Sequence, residues 1–371
     1  MKTVIARAPG RVNVIGEHTD YTGGFVFPMA IERGVTAQLS KRADQIVSMR
    51  SKQLPGDFEF NLSELAPGLV TGWAAYVAGA VWAVKQNLEI PFGIDIAIDA
   101  DLPLGAGMSS SAAVECSVIL ALVTLLEKDV PMRELARWAK RAENEFVGVP
   151  TGSMDQVASL MSKADHLMLF DTRDDVIDLI PIDLTSADAT FVVIDTRSKH
   201  ELTDGSYAQR RDDCEEAAKI LQVKYLRDIT DLDNAIDSLI SAGANNRIIQ
   251  RLRHVVTENQ RVLQAVAALK ASNLQQLGEL INQSHASLRD DFEVSCPELN
   301  LAVSIAIESG AFGARMMGGG FGGSTITLIS NHLVETLKEN AVVGFKQAGY
   351  LSPKVYLVTA SEGAKIVSTH N

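Results

Sequence analysis

Cysteine is scarce in this chain. The 371 residues hold three, Cys116, Cys214 and Cys296, odd in number, widely spaced and without a Cys-x-x-Cys pair. Neither a disulfide framework nor a thiolate zinc site is indicated, and reduced thiols in a cytoplasmic protein are expected. A positive excess is missing too. Lys and Arg total 34 against 46 Asp and Glu, a net charge of −12, which disfavours a polyanion-binding surface, so no nucleic-acid partner is expected. The apolar run at 118–126 is too short to span a bilayer, and Arg7, Arg11 and Glu17 interrupt the N-terminus before a signal core can form. No membrane partner is expected either. Internal repeats, low-complexity tails and heptad arrays are absent as well.

What the chain does have is enough apolar material, 46%, and enough length for two cores, so two domains are expected, 1–187 and 188–371. Residues 93–101 alternate strictly, Ile94, Ile96 and Ile98 against Asp95, Ala97 and Asp99, which predicts a half-buried strand with an antiparallel neighbour. Pro103-Leu104-Gly105-Ala106-Gly107-Met108-Ser109-Ser110-Ser111-Ala112-Ala113 follows, then an apolar helix over 112–127. Strand, glycine turn, serines and helix together make an anion cradle: orphan N–H groups and the helix dipole face a ligand, and hydroxyls can hold phosphate or a metal ion. It is no Walker A loop, because no Gly-Lys-Ser/Thr follows. It is no dinucleotide fingerprint, because Ser110 stands where a third glycine belongs.

Upstream, residues 8–24 read as a glycine-bounded loop between strands carrying Arg11, Glu17, His18 and Asp20. A His-x-Asp pair with a Glu could ligate a metal; alternating donors and acceptors suit a polyol better; a solvated polar turn is the plain alternative. Residues 73–88 show helical periodicity of core type. Pro131 opens a further helix whose apolar stripe is Leu135, Trp138, Ala139, Ala142 and Phe146, with Glu143 at its border as either a solvated edge residue or a placed ligand. Residues 148–152 break that helix, and the next one starts at 153 with Asp155 in its first turn, where the dipole favours an ionised carboxylate. Further on come a strand from 190, a polar loop at 199–207 and a charged helix at 208–221. A long amphipathic helix over 245–271 turns Ile249, Leu252, Val256, Leu263, Val266 and Leu269 inward, and helices at 274–288 and 297–309 follow it. Residues 313–328 read as strand, glycine loop, strand. Five glycines in the six positions 318–323 imply that something passes close to the backbone.

Residues 10–21, 103–113 and 313–328 together resemble the GHMP small-molecule kinases, in order and across nearly the whole chain, and 10–21 is similar almost letter for letter to the signature of those that act on galactose. The resemblance implies an α+β fold of two domains. The N-terminal one would hold a mixed sheet of the ribosomal S5 domain 2-like kind, and the C-terminal one an antiparallel sheet plus helices. It implies ATP and Mg²⁺ as cofactors, with Gly105, Ala106, Gly107, Met108, Ser109, Ser110 and Ser111 around the phosphates, Ser51 near the nucleotide, and Ser111 and Glu143 as metal ligands. Asp155 would be the catalytic base and Arg11 its stabiliser. Glu17, His18, Thr19, Asp20, Gly152 and Tyr207 would contact the sugar. The expected reaction is phosphorylation of the anomeric hydroxyl of α-D-galactose by a monomer. A kinase for N-acetylgalactosamine or arabinose, or a sugar sensor without activity, are the alternatives; Ser111-Ala112, Asp155 and Arg11 argue against the sensor. Two departures bear on sugar choice: Thr151-Gly152-Ser153-Met154-Asp155-Gln156 stands where Cys-Gly-Ile-Met-Asp-Gln is common, and Ser324 where Cys is frequent.

Overall fold

Strict alternation over 93–101 does yield a strand, and it lies inside a sheet whose other members come from both ends of the chain. The computed structural model describes residues 2–103, 105–198 and 205–370. In chain order the first elements are β1 (Thr3–Asn13), β2 (Phe25–Val26), β3 (Pro28–Arg42), β4 (Ile46–Ser51), β5 (Phe58–Asn61), α1 (Trp73–Lys85), β6 (Gly93–Ala100) and α2 (Ser110–Leu125). Then come α3 (Met132–Arg141), α4 (Met154–Met161), β7 (His166–Asp171), β8 (Val176–Pro181), β9 (Ala189–Asp195), α5 (Ser206–Ile220), α6 (Leu232–Ser241), α7 (Asn246–Lys270), α8 (Leu274–Asp290) and α9 (Pro297–Glu308). The chain closes with β10 (Gly313–Met317), β11 (Ser324–Ser330), α10 (Val334–Gln347), β12 (Lys354–Val358) and β13 (Lys365–His370).

The first sheet has six strands in the order β13-β1-β3-β6-β4-β5. It is mixed: β6 runs antiparallel to β3 and parallel to β4. Ile94, Ile96 and Ile98 point into the core, as their spacing predicts. Helix α2 is apolar on every side because it packs on β1 and β3 and is covered by α1, α3 and α4. A second sheet, β10-β11-β9-β12, is antiparallel throughout. Its β9 is buried along its whole length, with α9 and α10 contributing to the apolar cluster on one face. A third, small sheet has the order β2-β7-β8. Among the described residues no helix is long and apolar enough to cross a membrane.

Three expectations meet a different structure, and a fourth falls largely outside the described residues. Arg11 is not in a loop: β1 continues to Asn13, pairing Arg11 with Ala30, so the guanidinium stands on a strand and is aimed by the sheet. Leu263 faces outward, 45% exposed, because α7 meets the core through Val262, Ala265, Val266 and Leu269 instead. Residue 187 falls in the turn between β8 and β9, but β13 returns the end of the chain to pair with β1, so 188–371 does not stay within one half. Of the polar loop expected at 199–207, residues 199–204 lie outside the described residues.

Candidate active site

Arg11 leaves β1 toward the first turn of α4. Its Nε and Nη2 donate to Oδ1 and Oδ2 of Asp155 at 2.8 and 2.9 Å, a two-pronged pair, while Nη1 donates to the Gly107 carbonyl at 2.6 Å. Burial alone would lower the Arg11 pKa; Asp155, Glu17 and Asp20 outweigh it and raise it. The serines at the head of α2 do more than cap. Ser109 sits at the N-cap in the left-handed region, φ 56°, makes no cap bond, and donates its hydroxyl to Asp155 Oδ2. The 105–111 turn is thereby tied to Asp155 twice, by Arg11 and by Ser109.

The polar segment after β1 supplies the opposite wall. Glu17 accepts from the Gly318 amide at 2.8 Å and from the buried Arg315 at 3.2 Å; Arg315 also donates to the carbonyls of Asn13 and Val14. His18 places Nδ1 2.8 Å from the Tyr21 hydroxyl and Nε2 3.2 Å from the Gly319 carbonyl, with its ring against Tyr207 and Phe292. Burial, with His254 beside it, pulls the His18 pKa down to about 3, so the imidazole is neutral at pH 7. What passes close to the 318–323 glycine loop is therefore the chain itself: Glu17, His18 and the Val294 carbonyl, which lies 2.2 Å from where a Gly320 Cβ would stand. Asp20 leans on Gly152, where a Cβ would fall 1.7 Å from Oδ2, and accepts from the Met154 amide at 3.4 Å. Burial, helped by Asp155, raises the Asp20 pKa to about 6. Tyr207, at the start of α5, is half-buried, and desolvation pushes its pKa up.

Glu143 sits on a π-helical segment, Ala142–Val147, that continues α3; the wider turn is a recurrent device at functional sites. Its carboxylate accepts from Gln156 Nε2 at 2.6 Å and Thr151 Oγ1 at 3.1 Å, with the Ser111 side chain beside it. Burial and Asp155 raise its pKa to about 7.

These groups line one cavity of about 400 Å³, within the range of small-ligand pockets. Arg11, Glu17, His18, Asp20, Gly105, Gly107, Met108, Ser109, Ser110, Ser111, Glu143, Gly152, Asp155 and Tyr207 all reach it. Residues 1–41 match the model described as the galactokinase galactose-binding signature, 75–163 the GHMP kinases N-terminal domain, and 265–342 the GHMP kinases C-terminal domain. A galactokinase of Streptomyces coelicolor is 43% identical over 96% of this chain and 92% of its own length. The chain belongs to the galactokinases of the GHMP kinase family. It is an enzyme of the kinase class. The crystal structure of Lactococcus lactis galactokinase complexed with galactose superposes with a TM-score of 0.92 at 33% identity, covering 98% of this chain and 95% of that one. Methanococcus jannaschii mevalonate kinase, 18% identical over 96% of this chain and 98% of its own, shares the fold with a TM-score of 0.70. The two-domain α+β GHMP architecture is thus the fold of this chain.

Three expected residues of this family member stand outside the cavity lining. Ser51, at the end of β4, accepts from the amides of Gln53 and Leu54 and does not line the cavity; Leu54 does. The Thr19 hydroxyl donates to the carbonyls of Gly16 and Phe25 and is fully buried. Ala106 is buried, its carbonyl taken by Ser324 Oγ at 2.7 Å. Sequence reading missed Trp73, Tyr76 and Val114, which line the cavity from α1 and α2. An apolar pocket wall and a core helix face share one periodicity, so only composition, a Trp and a Tyr on one helix, hinted at them. Among the described residues no group of three or more His, Cys, Asp or Glu side chains could cage a metal. Ser111 and Glu143 do offer hard oxygen donors side by side, the donor set that suits Mg²⁺ when phosphates and water complete its shell.

Proposed function

We infer that this chain transfers the γ-phosphoryl group of ATP to the anomeric hydroxyl of α-D-galactose, giving galactose 1-phosphate and ADP. The observation that carries the reading is the Asp155 carboxylate, held by Arg11 and Ser109 in a cavity that joins the glycine–serine turn to Glu17, His18 and Asp20.

A carboxylate offers about four lone-pair sites. Arg11 uses one on each oxygen and Ser109 a second on Oδ2, which leaves Oδ1 able to accept from a substrate hydroxyl. Asp155 Oδ1 orients that hydroxyl and takes its proton as the new O–P bond forms and the bond from the γ-phosphorus to the ADP oxygen breaks. A carboxylate suits phosphoryl transfer in this place, because the loose transition state asks for positioning and charge neutralisation more than for strong proton abstraction. The positive charge of Arg11 and the open N–H groups at the head of α2 supply that neutralisation. Ser111 and Glu143 would hold Mg²⁺, which when bound offsets phosphate charge. Glu17, His18, Asp20 and Tyr207, with Gly152 leaving space for Asp20, are the sugar contacts. Leu54, Trp73, Tyr76 and Val114 give the cavity its apolar wall, suited to a purine. A cytoplasmic location, where ATP is supplied, fits the three free thiols, and a monomer is the proposed state.

Asp155→Ala tests the reading. ADP release with galactose should fall by at least about 10³-fold, the scale of losing a positioned acid–base group, while a fluorescent ATP analogue still binds. Near-normal turnover in this variant refutes the assignment. A panel of galactose, N-acetylgalactosamine and arabinose fixes the sugar.

A further inference from the structure

The segment between β1 and β2 carries Glu17, His18 and Asp20, yet only part of its backbone is bonded within itself. Backbone groups away from water need partners, and three of these are supplied from about 240 residues further along the chain. Gly16 N donates to Glu258 Oε1 at 2.9 Å, the Glu17 carbonyl lies 3.0 Å from His254 Nε2, and Phe25 N donates to Asn259 Oδ1 at 2.7 Å. His254, Glu258 and Asn259 share one face of α7 by their spacing, and all three are buried. The fit is close. Gly16 has φ +96° and a Cβ there would stand 2.6 Å from the Phe25 carbonyl and 2.9 Å from Val262 of the same helix.

Glu258 is the centre of this row. Besides Gly16 it accepts from Ser284 Oγ on α8 at 2.6 Å and from Arg261 Nε at 2.7 Å, so its carboxylate is fixed from three directions. Burial would raise its pKa, but Arg261, His254 and Arg315 bring it down to about 2, and it stays charged at pH 7. None of the three residues lines the cavity. The 105–111 turn is anchored by other groups: Met108 O accepts from Arg11 N at 3.2 Å, and Ala106 O from Ser324 Oγ at 2.7 Å.

We propose that Glu258, flanked by His254 and Asn259, is a positioning residue for sugar binding: the C-terminal half sets the sugar loop from behind through its backbone, independently of the phosphate turn. This rests on the assignment of residues 17–20 to the sugar. A purely structural role would lower stability without separating the two substrates. Removing the charge should separate them.

The test is steady-state phosphoryl transfer by the folded wild-type chain and Glu258→Gln, varying galactose at saturating ATP and then the reverse. The galactose KM should rise about tenfold, the scale of one lost bond to a charged group, with the ATP KM within about twofold. An unchanged galactose KM in the folded variant, or a parallel rise of both constants, overturns the proposal. If Glu258→Gln does not fold, Ser284→Ala removes a single hydroxyl partner of the carboxylate. It should raise the galactose KM about threefold with the ATP KM unmoved, in line with a neutral donor's smaller share, and no rise overturns the proposal. Absence of transfer by the wild-type chain to any sugar on the panel overturns the functional reading instead, and this proposal with it.

Discussion

Gly152→Ala separates steric placement of the proposed sugar contacts from everything else in the site. The backbone at Gly152 is not in the positive-φ region, so alanine is tolerated there conformationally; the obstacle is the Asp20 carboxylate, 1.7 Å from the new Cβ at Oδ2 and 2.1 Å at Cγ. Ordinary contact begins near 3.4 Å, so the carboxylate has to withdraw by roughly 1.7 Å, more than a hydrogen bond survives. Losing a charged acceptor for a sugar hydroxyl costs about 1.5–3 kcal/mol, or roughly 10- to 100-fold in kcat/KM for galactose. The loss should fall mainly on KM, since a contact made equally in ground and transition states is being removed. The ATP KM should stay within about twofold, because the three atoms nearest the new methyl group all belong to Asp20. A coupled ADP-release assay at saturating ATP measures the first effect and the reverse titration the second. A galactose kcat/KM within about threefold of wild type refutes the placement of Asp20 on the sugar.

Arg11→Lys keeps the charge but cannot span both Asp155 oxygens and Gly107, so kcat should drop about 100-fold with smaller changes in either KM; a kcat within about threefold of wild type counts against the two-pronged pair as a catalytic requirement. Asp20 has a folded pKa of about 6 against an ordinary 3.8, so between those values the folded chain keeps a proton that the unfolded chain has released. Its contribution to stability is therefore full below about pH 4 and lost as pH rises through about 6, where the ionised acceptor proposed for galactose appears. Melting of Asp20→Asn beside wild type should show the variant gaining relative stability from pH 4.5 to 7 while the wild-type galactose KM falls over the same range; a constant gap and a flat KM contradict this. Both experiments use about the same pH window as the shift itself.

How much of this was legible depended on whether the partners of a residue were near it in sequence. The 93–125 strand, turn and helix could be read because isoleucine alternation, glycines and an apolar run are local signals, and the structure places β6 and α2 there. Ser109 reads as a phosphate-cradling hydroxyl at a helix head, yet that hydroxyl crosses to Asp155, 46 residues on, and no local pattern reports that. The buried polar face of α7 was invisible for the same reason. His254, Glu258 and Asn259 read as the wet side of an amphipathic helix until the unpaired amides of a remote loop are set against them.

The placement of β1 explains why three distant stretches share one cavity. Arg11 reaches Asp155 and Gly107 from that strand, and two and three residues later the carbonyls of Asn13 and Val14 receive Arg315 from β10. Arg315 in turn holds Glu17 against the 318–323 loop. One strand thus fixes the Asp155 carboxylate on one side and both glycine loops through two arginines, and β13 and β3 brace it from either edge. An arginine that makes two bonds to a carboxylate and one to a carbonyl accepts only a narrow range of positions for its three partners. The geometry of the site is therefore set by two guanidinium groups more than by the loops that carry its other residues.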